Sequence, residues 1–148
     1  MTAQAAYDPS NIFARIIRGE LPCVKVFEDA DALAFMDIFP QTEGHTLVIP
    51  KAARATGIFD IEPQALSRLI VATQKVAAAV RAALRPDGVR IIQFNGAAAG
   101  QTVYHIHFHV LPVYAGRSEA VHASGAKADA AALEAVAARI RSAIGANA

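Results

Sequence analysis

The stretch QTVYHIHFHV, residues 101–110, sets His105, His107 and His109 at alternate positions, so three of the chain's five histidines fall within five residues. Imidazole, with an unperturbed pKa of about 6.5, is largely neutral near pH 7 and offers a nitrogen lone pair to a proton, a metal or an electrophile. Ile106, Phe108 and Val110 occupy the positions between and after. In a strand, successive side chains point to opposite faces, so the pattern predicts an apolar face on the core and a solvent-facing row of histidines. Solvent-facing strand positions usually hold Thr, Lys or Glu, so the row reads as chemical equipment. A metal site is one use of it. At ~3.3 Å per residue the outer pair stand roughly 13 Å apart, too far to share one zinc without bending the strand. Ligands from elsewhere would have to come from His45 or His122, since the chain has one cysteine, Cys23. Nucleophilic catalysis fits the row better.

The loop entering this strand, NGAAAGQT from Asn95 to Thr102, combines two glycines and three alanines with Gln101 and Thr102. Small residues let backbone N–H groups approach an anion closely, and the side chains of Asn95, Gln101 and Thr102 add hydrogen-bonding groups. A plain hairpin loop has the same composition. Beside a histidine row, a phosphate is the natural guest.

Elements to carry these residues are legible along the chain. Ser10 can cap a short helix with Ile12, Phe13, Ile16 and Ile17 on one face, ended by Gly19 and Pro22. VKVFED and ALAFMDI predict two strands about the turn Asp29-Ala30-Asp31, and HTLVIP a third, which together make an antiparallel meander. Leu66, Leu69, Ile70, Thr73, Val76, Ala77 and Val80 keep the helical period from Pro63 to Leu84, where RPDG stops it. VRIIQFN predicts a fourth strand and VYHIHFHVLP a fifth. A linker near 115–127 leads to a C-terminal helix marked by Leu133, Val136, Ala137, Ile140 and Ile144. The expectation is one domain over residues 1–148.

Composition narrows the function classes. The chain has 148 residues, 54% of them hydrophobic, and a formal net charge of +1, which is poorly suited to neutralising a nucleic-acid backbone. One cysteine permits no internal disulfide and matches a reducing, cytoplasmic setting. MTAQAAYDPS lacks the cationic start and apolar run of a signal peptide, and Arg81 interrupts the Ala-rich stretch from Val76 to Leu84, so no membrane partner is expected.

QTVYHIHFHVLP resembles the signature of the histidine triad (HIT) family, in which histidines alternate with apolar residues. GHTLVIPK, FMDIFP and NIFARIIRGELP resemble that family's other landmarks, and together they cover about residues 10–114. The resemblance implies an α+β fold with a five-stranded antiparallel sheet, one long helix, a short N-terminal helix and a C-terminal helix. It also implies a homodimer and chemistry at the α-phosphate of a purine nucleotide derivative, an adenosine phosphoramidate or a phosphate ester.

On this resemblance His107 is the nucleophile that forms a nucleotidyl-histidine, and His109 hydrogen-bonds the phosphate or the leaving group. His105 and His45 form a relay behind the nucleophile. Asp37 binds the ribose hydroxyls, and Ile12, Phe13, Ile16, Leu21, Phe35, Met36 and Ile38 surround the base. Asn95, Gly100, Gln101 and Thr102 belong to the phosphate end. On the residues alone, Asp37 also reads as an Asx-type turn, His45 as a strand-entry histidine, and the apolar set as ordinary core. A zinc-bearing branch of the family uses Cys-x-x-Cys and a further histidine where this chain has Asn11, Ala14 and Ala53, so neither metal nor other cofactor is expected. A diadenosine polyphosphate hydrolase and a non-catalytic nucleotide-binding interaction module are the alternatives.

Overall fold

The computed structural model describes residues 6–120, 122 and 126–146. Helix α1 spans Ile12–Ile17. Its cap is Asn11, whose side-chain oxygen accepts the Ala14 N–H. Ser10, the expected cap, is held instead by Asp8 through both its N–H and its hydroxyl. Strands β1 (Lys25–Glu28) and β2 (Ala32–Met36) meet at a turn where Asp29 accepts the N–H groups of Asp31 and Ala32. After β3 (Thr46–Pro50) comes α2 (Pro63–Leu84), with proline in its first turn. Arg85 ends it in the left-handed region at φ 50°. Then follow β4 (Gly88–Ile92), a 3-10 turn at Ala97–Ala99, β5 (Phe108–Val113) and α3 (Ala130–Ala146).

The five strands form one antiparallel sheet in the order β1-β2-β3-β5-β4. Every residue of β2 and β3 is buried, because both faces of the sheet are covered. On one face Ala34, Met36, Val48, Phe108 and Val110 pack in a core shared with Leu69, Val76 and Val80 of α2 and with Leu133, Ala137 and Ile140 of α3. On the other, Leu33, Phe35, Leu47 and Ile49 form a second cluster with Phe13 of α1. Gly44 enters β3 at φ 93°, where a Cβ would lie 2.2 Å from Leu84 Cδ1, so only glycine fits between the loop and α2.

The histidine strand is shorter than its alternation predicts, beginning at Phe108. β3 pairs with β5 only from Thr46↔Val110 to Val48↔Phe108. Continuing that register would set Pro50, which has no N–H to donate, opposite Ile106. The Ile106 N–H is satisfied instead by the carbonyl of Ala55, at 2.8 Å. β4 likewise stops at Ile92, and Gln93 and Asn95 turn their side chains on each other. Nor do the histidines face solvent. His105, His107 and His109 are 1%, 6% and 2% exposed. The apolar half of the pattern does hold: Ile106, Phe108 and Val110 lie in the core beneath the helices.

Candidate active site

A cavity of about 370 Å³ opens on the α1 face of the sheet. Ile12, Phe13 and Ile16 of α1 line one wall; Phe35, Met36, Asp37 and Ile38, from β2 and the residues after it, line another; and Thr102, His107 and His109 close the end. Each of these was expected at the site. Leu21 does not line the cavity, whose lining also includes Pro22, Cys23, Phe39, Leu47 and Val103. A larger groove of about 640 Å³ runs along α2 and β4, away from the histidines.

Backbone groups of fixed polarity determine which nitrogen of each imidazole carries the proton. The His105 carbonyl can only accept, so His107 donates to it from Nδ1, at 2.7 Å, and the lone pair is left on Nε2. By the same reasoning His105 donates from Nε2 to the Pro50 carbonyl, at 3.0 Å, and accepts the Tyr7 hydroxyl at Nδ1, at 2.8 Å. The Gln41 N–H donates to Nδ1 of His45, at 3.1 Å, so His45 carries its proton on Nε2 and donates to Nδ1 of His109, at 2.9 Å. His109 therefore presents Nε2–H to the cavity.

The two histidines expected to back the nucleophile thus divide the work. His105 turns its side chain away and holds His107 through its backbone carbonyl, while His45 supports His109. Burial disfavours the charged form of each ring, pushing His107 down to about 4 and His109 to about 2, and lowering His45 and His105 as well. All four are neutral near pH 7.

Asp37 serves two neighbours. One oxygen accepts the Phe39 N–H at 2.8 Å, the Asx turn that its position suggests, and the other lies 3.5 Å from Nε2 of His45. Asp37, His45 and His109 bring one potential metal-ligand atom apiece within 4.8 Å of each other. His45 Nε2 and His109 Nδ1 already hydrogen-bond to each other, so a cation bound through those two nitrogens would have to break that contact.

The glycine-rich loop is held by the side chains that were expected to hold phosphate. Gln101 accepts the Gly96 N–H and donates to the carbonyls of Thr56 and Val103. Asn95 accepts the Ile58 N–H and exchanges hydrogen bonds with Gln93. Both are spent inside the loop, and neither lines the cavity. Gly100, at φ 111°, gives its carbonyl to Nε2 of His122, at 2.9 Å. Of the expected phosphate end, Thr102 alone faces the cavity.

Beyond naming it as a possible further ligand for a metal, sequence reasoning left His122 without a role. It lines the cavity with its ring tilted on Phe94, centroids 4.9 Å apart, and lies 5.2 Å from the ring of His109. Nothing in its surrounding Ala, Ser and Gly sequence signals this.

A model of the HIT domain matches residues 18–116. Over 103 residues the chain is 39% identical to an adenosine 5′-monophosphoramidase of Schizosaccharomyces pombe, covering 70% of this chain and 74% of that one. A HIT-like protein of Bartonella henselae involved in cell-cycle regulation superposes with a TM-score of 0.85 at 46% identity, over 93% of this chain and 99% of that one. A zinc-bound histidine triad protein of Mycobacterium smegmatis gives 0.80 at 33% identity, over 93% and 95%.

Proposed function

The chain belongs to the histidine triad family, and from that premise we propose that it is a nucleotide-binding hydrolase or nucleotidyl transferase. It acts at the α-phosphate of adenosine phosphoramidates or phosphate esters and releases a nucleoside monophosphate. The observation that carries this reading is the hydrogen bond from His107 Nδ1 to the His105 carbonyl, which leaves an unprotonated Nε2 on a cavity-lining ring. A neutral imidazole so oriented is a competent nucleophile toward phosphorus, and a P–N bond to imidazole is labile enough for water to cleave.

The remaining roles follow from position. The apolar wall of Ile12, Phe13, Ile16 and Phe35 takes a purine by contact and size, Asp37 accepts the ribose hydroxyls, and His109 donates Nε2–H to the phosphoryl group. Preorganised donors aimed at developing charge act strongly in a water-poor site. The kinship to the S. pombe phosphoramidase supports the choice of leaving group. The chain acts as a homodimer in the cytoplasm, with the α2–β4 groove as the dimer face, where Ile70, Val71 and Ile91 are exposed. No described helix is long and apolar enough to cross a membrane.

The test is single-turnover mixing with an adenosine phosphoramidate labelled on the adenylate, a quench that avoids acid, and mapping of the labelled residue. The label is expected on His107. Label on another residue, or none during turnover, overturns the mechanism.

A further inference from the structure

Among the described residues, two buried side-chain nitrogens lack a hydrogen-bond partner: Nε2 of His109 and Nδ1 of His122. Both residues line the same cavity. Their protonation is opposite, and it is set by backbone groups. The chain from the Gln41 N–H through His45 leaves His109 with a proton on Nε2, an orphan donor. The Gly100 carbonyl accepts a hydrogen bond from His122 Nε2–H, and in the neutral ring Nδ1 is then an orphan acceptor. Buried groups left without partners cost free energy that a ligand can recover. The ligand that satisfies both must accept at one atom and donate at another nearby.

His122 is held there by anchors on both sides of it in sequence. The Ala120 N–H donates to the Gln41 carbonyl, Gln41 Nε2 donates to the Ala120 carbonyl, and the Ala128 N–H donates to the Ile38 carbonyl. Ala120 and Ala128 are thereby tied to the same loop that carries Asp37 and locks His45.

The His45–His109 pair has no spare proton. A third proton on the pair would have to sit on His45 Nδ1, where the Gln41 N–H already points. Resting on the nucleotidyl-histidine reading, we propose that His122 is a specificity-determining residue. It favours substrates whose leaving atom carries hydrogen, the amine nitrogen of a phosphoramidate, over those whose leaving atom is a bare ester or anhydride oxygen.

In the step this implies, the substrate nitrogen takes a proton from bulk water before attack and donates one N–H to His122 Nδ1, while His109 Nε2–H donates to a non-bridging phosphoryl oxygen. His107 Nε2 bonds to phosphorus, and the P–N bond breaks with its electron pair going to nitrogen, which departs as a neutral amine. The adduct keeps the proton on His107 Nδ1, hydrogen-bonded to the His105 carbonyl, and its imidazolium charge balances the phosphoryl anion.

The experiment compares wild type, His122→Phe and His122→Asn on two substrates, an aryl-amine phosphoramidate of AMP and the p-nitrophenyl ester of AMP. The value of kcat/KM ends at the first irreversible step, release of the leaving group, so later hydrolysis does not enter. Phenylalanine keeps an aromatic ring against Phe94 but removes the acceptor. The ratio of amide to ester kcat/KM is expected to fall by roughly tenfold or more, the effect of one unsatisfied buried donor. Asparagine, which can place an amide oxygen near the position of Nδ1, is expected to restore much of the ratio. An unchanged ratio in His122→Phe, whatever the individual rates, overturns the proposal, as does a fall that His122→Asn leaves unrepaired. Failure of the underlying function looks different: wild type then forms no adduct on His107 with either substrate.

Discussion

His45 donates Nε2–H to Nδ1 of His109 across 2.9 Å, and both rings are buried. The contact fixes the direction of every proton in that half of the site, because the far nitrogen of His45 already accepts a backbone N–H. His107 is oriented separately, by a carbonyl of its own strand segment. His107 and His109 are thus positioned by independent supports.

Replacing His107 with alanine is expected to lower kcat by more than about 10³-fold while AMP binds within about threefold of wild type, since the nucleophile acts through a bond absent from the ground-state complex. His109 cannot substitute, because its Nδ1 accepts from His45 and its Nε2 carries the proton. Single-turnover kinetics and calorimetric AMP binding check both parts. Near wild-type turnover would overturn the assignment of His107 as the nucleophile.

Asp37→Asn keeps an oxygen for the Phe39 N–H and so preserves the turn, but it removes the charge offered to the ribose. It is expected to raise KM by about 1–3 kcal/mol equivalent, with a smaller effect on kcat. A 2′,3′-dideoxy substrate then loses little further on the variant. If KM is unchanged and kcat alone falls, Asp37 acts through His45 and not on the ribose.

Stability is expected to fall on acidification. The folded-state pKa values of His107 and His109, about 4 and about 2, lie below the ordinary value of 6.5 because of burial. The unfolded chain therefore binds more protons between pH 6.5 and 4, and stability present above 6.5 is lost as pH drops through that window. Down to pH 5 this amounts to at most roughly 2 kcal/mol per histidine. Thermal melts from pH 7.5 to 5 should show a declining Tm, with a shallower decline in His109→Gln; parallel curves would contradict the assignment.

Metal is not expected in the working protein. The purified protein should retain activity through chelation and carry well under one zinc per chain by elemental analysis. Excess zinc is expected to inhibit by competing for Asp37, His45 and His109, whose ligand atoms already lie within 4.8 Å of one another. One tightly held zinc, with activity lost on its removal, overturns this.

The dimer proposal predicts that Val71→Glu, at a position 62% exposed on the α2 groove, converts a dimer to a monomer without unfolding it. Light scattering at micromolar concentration reads the state directly. A wild-type chain that is already monomeric there removes the proposal.

Local pattern sufficed for the elements. Helical periodicity and the proline start bounded α2 at Pro63–Leu84, and alternation of apolar residues put Ile106, Phe108 and Val110 in the core. The histidine spacing carried the resemblance to the histidine triad family, to which the chain belongs. Sequence alone misjudged where pairing stops, because the end of β5 depends on Pro50 of another strand. It also misjudged the surroundings of the histidines: a two-residue period says which side chains share a face, not whether a helix, a loop and a distant segment will cover that face. Gln101 and Asn95 have the right groups to bind phosphate, yet tertiary contacts with Thr56 and Ile58 consume them. His122, thirteen positions beyond His109 in chain order, lies at the site in company with Ala120 and Ala128, which hydrogen-bond to Gln41 and to the Ile38 carbonyl. Each imidazole's proton placement is likewise a tertiary property, decided by a carbonyl or an N–H that the sequence does not locate.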